Sequence, residues 1–548
     1  MNISNKPLGR ARYNPATWLA LGAISLLFLV LGWPFARRLG IEVDEAIVGN
    51  GIYPGISAHY SWWLFGNEIP VMLLSYMGTL KTWIDNAVFA VFKPGQFSLR
   101  LPMMLAGVAA LWLFFRFVDR VAGRPAAWIA TLLLATDTSF LLSDTIDMGG
   151  VALQPLFKLG AILLILRFHE TNSLRALAGA FFLLGLGLWD KAVFVWVLGG
   201  LGVATIAIFP RELLQHLRPK TVAIAAGAFL VGAFPLISYN IAYPLETFHS
   251  NVHVSLDDRA VKLDVLQNTF NGRVNLYFLT APAPGPSPGQ PHRLMQRVAF
   301  ALNDLFGQPI TNWTISAYLV SLLALPLVWQ AVPRRAILFA ILFQLVTWIA
   351  MFVTNGAGSG AHHIILLWPF HFLVIAAVLL ALAARLRRFG PAFLIAATLL
   401  LCGRNMLVTN RYYVELVRNG TSVRWTDAFG PLIEYLKENK DREVLALDWG
   451  IVETINLMTE GEVDAHDENV AVLSVDRDPR IRQWLEDKIG NQNILWLAHV
   501  SGHEVRLGVA AKLDQVAGER GFHAERAKII LDRNGRAIFV VFRYRRNS

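Results

Sequence analysis

Apolar blocks long enough to cross a bilayer recur along the first 408 residues, and nothing else constrains the fold as tightly. They lie near 17–36, 101–118, 126–143, 149–166, 174–189, 192–209, 221–239, 314–331, 336–354, 363–383 and 391–408. In hydrocarbon a backbone must satisfy its own hydrogen bonds, and runs of about 20 residues do so as helices. Composition agrees: 55% of the 548 residues are hydrophobic and 16% are charged, where soluble domains carry about 25% charged residues. The chain is therefore read as an α-helical polytopic membrane protein of about eleven transmembrane helices. The first block is too long for a cleavable signal sequence, and no small-residue cleavage site follows it.

The net charge of +10 comes from basic residues gathered in short loops between spans, which favours orientation over nucleic-acid binding. With the N-terminus cytoplasmic, the inside loops hold Lys6, Arg10 and Arg12; Arg116, Arg120 and Arg124; Arg167 and Arg175; Arg211, Arg218 and Lys220; Arg334 and Arg335; Arg385, Arg387 and Arg388. The short outside loops near 144–148, 189–192 and 355–362 hold only Lys191 among basic residues. Arg37 and Arg38 oppose the pattern but border a long loop, where the rule weakens.

Three bodies then face outward: loop 37–100, loop 240–313 with the stiff "APAPGPSPGQP" at 281–291, and a tail from 409 to 548. Within the first loop, residues 68–92 are apolar enough to cross, but Lys81, Asp85 and Asn86 fall mid-segment. They are read as one or two helices lying in the interface, with Trp62, Trp63 and Trp83 near the headgroups. The tail alternates strand and helix ("VLALDWG", "DPRIRQWLEDKIG", "NILWLAHV", "VRLGVAAKLDQVAGERG", "AIFVVFRYR"), which predicts a small extracytoplasmic α/β domain. It has no phosphate-binding glycine fingerprint, and no P-loop occurs anywhere. The single cysteine, Cys402, excludes an intrachain disulfide.

Polar residues gather at the outer ends of the spans. Asp44 and Glu45 follow the first, Asp144 and Asp147 the third, Asp190 and Lys191 the fifth, and His362 and His363 open the tenth. Each has a plain structural alternative: a solvated loop start, a helix cap for Asp144, a mutual pair for Asp190 and Lys191, backbone partners for the histidines. Adjacent histidines point apart on a helix, so no metal ligands are assigned. The one-sided clustering points to a water-accessible cavity at the outer membrane edge.

These stretches resemble the membrane-embedded, polyprenyl-phosphate-sugar-dependent glycosyltransferases of the GT-C type, in particular protein O-mannosyltransferases and lipid A aminoarabinose transferases. The resemblance rests on Asp44–Glu45 early in the first outside loop and on "SYMGTLKTW" with Lys81 and Trp83. It rests further on Arg100–Leu101–Pro102 at the start of the second span, an acid in the next outside loop, and "GLGLWDKA" with Lys191. Trp-Asp stands there in place of the more usual Leu-Thr. The likeness covers about residues 17–240 well and the remainder by topology only.

It implies a transmembrane glycosyltransferase domain over 1–408 and the α/β domain over 409–548. A single sugar would pass from a polyprenyl-phosphate donor to a hydroxyl of a protein, lipid or glycan acceptor, with inversion. Asp44 would serve as general base with Glu45 as neighbour or substitute. Lys81 and Lys191 would steady the departing phosphate, assisted by His362, His363 or Arg37. Asp144 and Asp147 would bind sugar hydroxyls, or a divalent cation if one is used; no other cofactor is implied. The setting would be a bacterial inner membrane with the site on the periplasmic side. A transporter or flippase of lipid-linked saccharides is the main rival, but it calls for mid-span charges and broken helices. A ligand sensor needs fewer spans than these.

Overall fold

The computed structural model describes residues 13–52, 58–251 and 253–547. Lys6, Arg10, Arg12 and the turn residues Pro54 and Gly55 lie outside the described residues.

Each expected apolar block has a helical counterpart. Helix α1 (Pro15–Arg38) is capped by Asn14, whose side chain accepts the Thr17 N–H at 2.9 Å. A short α2 (Val43–Asn50) follows, then strands β1 (Tyr60–Leu64), β2 (Asn67–Leu74) and β3 (Met77–Gly78), and helix α3 (Leu80–Phe89). Residues 68–92 are thus half strand and half helix, which corrects the all-helical interfacial reading. The run Asn67–Leu74 pairs antiparallel with both neighbours, and Trp189 donates its indole N–H to the Val71 carbonyl at 3.0 Å. Tertiary docking on residues 189–192 overrides a local pattern that reads equally well as helix.

The bundle continues with α4 (Gln96–Ala122), α5 (Arg124–Thr136), α6 (Thr138–Thr145), a 3-10 turn (Met148–Gly150), α7 (Gln154–Thr171), α8 (Leu174–Asp190), α9 (Phe194–Ile208), α10 (Pro210–His216) and α11 (Pro219–Ala242). The second outer loop holds α12 (Glu246–Asn251), α13 (Arg259–Phe270), α14 (Leu276–Leu279) and α15 (Leu294–Leu305). The bundle resumes with α16 (Thr314–Val328), α17 (Arg334–Phe352), α18 (Ala361–Ile364), α19 (Phe370–Arg385) and α20 (Gly390–Arg418).

Among the described residues six helices are long and apolar enough to span alone, and nine if three bent pairs each count as one. The bends are 62° between α5 and α6, 100° between α9 and α10, and 46° between the Ala361–Leu367 segment and α19, so broken helices, the feature reserved above for a transporter, are present here and do not separate the two readings. Helices α8 and α16, of 17 and 15 residues, occupy the remaining two expected positions. Helix α20 runs ten residues past the expected boundary at 408, because its last turns find buried partners. Tyr412 there donates to the Gly272 carbonyl at 2.7 Å.

The tail is an α/β domain: α21 (Phe429–Lys437), β4 (Glu443–Ala446), α22 (Val452–Thr459), β5 (Ala465–Asp467), α23 (Asn469–Ser474), α24 (Pro479–Gly490), β6 (Ile494–His499), α25 (Val509–Glu519), β7 (Phe522–Leu531) and β8 (Ala537–Arg546). The sheet order is β5-β4-β6-β8-β7, parallel across β5, β4 and β6 and antiparallel beyond. Alternate residues of β6 serve two cores, Leu495 and Leu497 on one face and Ile494 and Trp496 on the other. That is why "ILWLA" reads as a continuous apolar run. The Pro-rich stretch lies along this domain, with Gly289 donating to the Arg418 carbonyl and Ser287 to that of Asn534, both at 3.0 Å.

Candidate active site

The carboxylates near residue 44 divide their labour. Glu42 is the N-cap of α2: its side chain accepts the Asp44 N–H at 2.8 Å, and Glu45 accepts the Glu42 N–H at 3.3 Å. This reciprocal capping box, with acids at the positive end of a helix, explains why "EVDEAIVGN" folds as a helix. Glu45 is 5% exposed and bidentate to Arg100 of α4, at 2.7 and 2.6 Å. The other Arg100 donors reach the carbonyls of Ala36, Leu39 and Gly40 at 2.6–3.0 Å, so all five guanidinium N–H bonds are used. Glu45 is therefore an anchor, a different task from the catalytic one expected for it. No hydrogen bond or ion pair among the described residues engages the half-buried Asp44 carboxylate, which lies within electrostatic reach of Lys191 and Tyr76.

Lys81, Lys191, Asp147 and His362 meet at the turn 147–150. Lys81 is 1% exposed and pairs with Asp147 at 2.8 Å, while the other Asp147 oxygen accepts the Ala152 N–H at 2.9 Å. Burial disfavours the Lys81 charge, but Asp147 and Asp190 outweigh it, so the net direction is upward. Lys191 donates to the Gly149 carbonyl and lies 5.6 Å from the Tyr76 ring centroid. Gly149 and Gly150 have φ of +60° and +65°, and a Cβ at either would collide, at Gly149 with the His362 ring and at Gly150 with the Lys81 ammonium. Asp190 accepts from Gln154 at 2.6 Å on one oxygen, its other oxygen has no hydrogen-bond partner, and Lys191 bonds the Gly149 carbonyl instead.

Of the two histidines, whose rings are 4.1 Å apart, only His362 packs on this turn. His363 accepts the Gly358 N–H at 3.2 Å and meets Trp196 edge-on. Asp144 is buried among Gly107 and the outer part of α6, with one oxygen unpartnered. Among the described residues no group of three or more His, Cys, Asp or Glu is arranged to hold a metal.

The cluster is closed. Lys81, Asp190 and Lys191 are each at most 2% exposed and bonded to Asp147, Gln154 and the Gly149 carbonyl respectively, where an open hollow was expected. An anion reaching the Lys81 ammonium would have to displace Asp147.

Glu42 was not singled out in the sequence, although an acid three residues before Glu45 is a readable capping signal. Burial, reinforced by the Asp44 charge, pushes its carboxyl from the ordinary 4.5 up to about 8. Above pH 4.5 the unfolded chain releases a proton that the folded chain keeps. Stability fully present below 4.5 is therefore lost as pH rises through about 8. Glu42→Gln removes this dependence while keeping an acceptor for the Asp44 N–H. In detergent, its melting temperature should gain on wild type as pH rises from about 5 to about 9, and a constant difference would refute the buried neutral carboxyl.

Residues 78–239, which include Lys81, Asp144, Asp147 and Lys191, match the family described as dolichyl-phosphate-mannose-protein mannosyltransferase. No curated protein matches the chain in sequence. The crystal structure of ArnT from Cupriavidus metallidurans bound to undecaprenyl phosphate aligns with a TM-score of 0.57 at 12% identity, over 96% of this chain and 98% of that one. The apo form of the same protein aligns with a TM-score of 0.56 at 12% identity, over 96% and 97%. At that identity the likeness is one of fold. The chain is thus similar to the membrane-embedded GT-C glycosyltransferases in its fold and, over residues 78–239, to the mannosyltransferase family in its sequence.

Proposed function

We propose that this integral membrane protein is a glycosyltransferase that moves one sugar from a polyprenyl-phosphate carrier to an acceptor hydroxyl outside the cytoplasm. The acceptor oxygen attacks C1 of the sugar, the C1–O bond to the carrier phosphate breaks, and the hydroxyl proton passes to the Asp44 carboxylate. Attack opposite the leaving group inverts the anomeric centre. Lys81 and Lys191, with His362, take up the charge of the released polyprenyl phosphate. Asp144 and Asp147 bind sugar hydroxyls, and His363 joins His362 in binding substrate. The setting is the bacterial inner membrane, with the site and tail on the periplasmic side.

One observation carries this reading. Glu45 is held by Arg100 and the Glu42 N–H, while Asp44 beside it keeps an uncommitted carboxylate within electrostatic reach of Lys191. The test is reconstitution of the full chain in liposomes with polyprenyl-phosphate sugars, together with mass spectrometry of envelope glycans and glycoproteins with and without the gene. A sugar missing without the gene and transferred in liposomes supports the proposal. No transfer from any such donor overturns it.

A further inference from the structure

Two bent spans are tied to each other at their breaks by groups the proposed reaction does not use. The α5/α6 break falls at Asp137, whose carboxylate accepts the Phe140 N–H and the Trp368 indole N–H, each at 2.9 Å. Trp368 lies at the other break, before α19. Lys158 of α7 donates there to the carbonyls of Leu366 and Trp368 at 2.6 and 2.5 Å. Carbonyls at a helix break lack partners along the helix, so a buried ammonium with three donors suits the place. Lys158 is 1% exposed, no acid pairs with it among the described residues, and its Nζ lies 5.3 and 5.7 Å from the Phe343 and Phe370 ring centroids. An ammonium so placed in a span is costly and calls for a task.

The outer ends of the tied segments are two walls of the site. Helix α6 leads to Asp144 and Asp147, and α18 carries His362, which packs on Gly149. Helix α7 links both levels, since Gln154, one turn before Lys158, holds Asp190.

We propose that Lys158, with Asp137 and Trp368, forms a joint that sets the spacing between turn 147–150 and His362, making Lys158 a positioning residue for the phosphate side of the site. The proposal rests on the glycosyltransferase reading. The test compares full-length Lys158→Met, Lys158→Gln and Asp137→Asn with wild type in liposomes, at temperatures below their melting, and follows hydrogen exchange in detergent. The glutamine variant serves if the methionine variant does not fold.

The joint predicts a loss of at least about tenfold in kcat at little-changed donor KM. It also predicts faster exchange in both 137–150 and 358–367, and a Lys158→Met/Asp137→Asn double variant no worse than the poorer single. Unchanged kinetics, or loosening of one segment alone, overturns it. If wild type transfers no sugar from any polyprenyl-phosphate donor, the glycosyltransferase reading fails separately. Exchange then decides the joint: protection lost in both segments upholds it, and any other result overturns it.

Discussion

Asp44→Asn should insert and fold like the wild-type chain and lose sugar transfer by about 10²–10⁴-fold, the range set by removal of a general base. The fold should not notice, because the Asp44 side chain makes no hydrogen bond or ion pair among the described residues and its backbone N–H, which Glu42 accepts, is retained. The asparagine fills the same space without a site for the proton. Transfer assays on equal amounts of inserted protein separate chemistry from folding, and activity near wild type would remove Asp44 from the mechanism. The neighbouring Glu45→Gln should behave differently. It should lower the melting temperature first and transfer only in proportion, since the Glu45 carboxylate is tied to Arg100 and the Glu42 N–H.

The largest stability effect should fall on Arg100. Arg100→Met strands the Glu45 carboxylate and the carbonyls of Ala36, Leu39 and Gly40, all joined by that one guanidinium. Breaking a buried ion pair from one side costs about 3–5 kcal/mol, a large part of the margin of an ordinary domain. Little folded protein is expected in membranes. Arg100→Lys keeps the charge but brings three donors where five are used, and should recover only part of the loss. The double variant Arg100→Met/Glu45→Gln should be more stable than Arg100→Met alone, because the stranded charge is gone. Thermal melts in detergent of wild type, Arg100→Met, Glu45→Gln, their double variant and Arg100→Lys decide this, and additive losses would contradict the pairing.

Arg100 shows where the sequence was legible. It was visible as part of Arg-Leu-Pro at a span start, but its partners lie 55–64 residues away in the chain, and no local pattern names them. The eleven helical positions could be read because hydrocarbon leaves a backbone few choices. Strands β4, β6 and β8 could be read from their apolar runs. Strand β7 could not, since "FHAERAKIIL" is mostly exposed and owes its conformation to a ladder of nine residue pairs with β8. The convergence of Lys81, Asp147, Lys191 and His362 followed from their shared side of the bundle, whereas their closed packing follows from glycines at 149 and 150, whose role appears only in three dimensions. Lys158 offered a signal that went unused: a lone cation inside the apolar run "LFKLGAILL".

Helix α2 has only eight residues, too few to hold its shape alone in water. One of its covers is α22: the Asn50 amide donates to the Glu453 carbonyl, 403 positions downstream, at 2.6 Å, and Leu457 closes over Gly49. During synthesis the ribosome delivers that cover long after the membrane helices have been inserted. A nascent chain stopped before residue 450 would keep the Arg100 and Thr82 bonds to α2 but lack this cover. The outer domain thereby completes the setting of α2 only once translation has passed it.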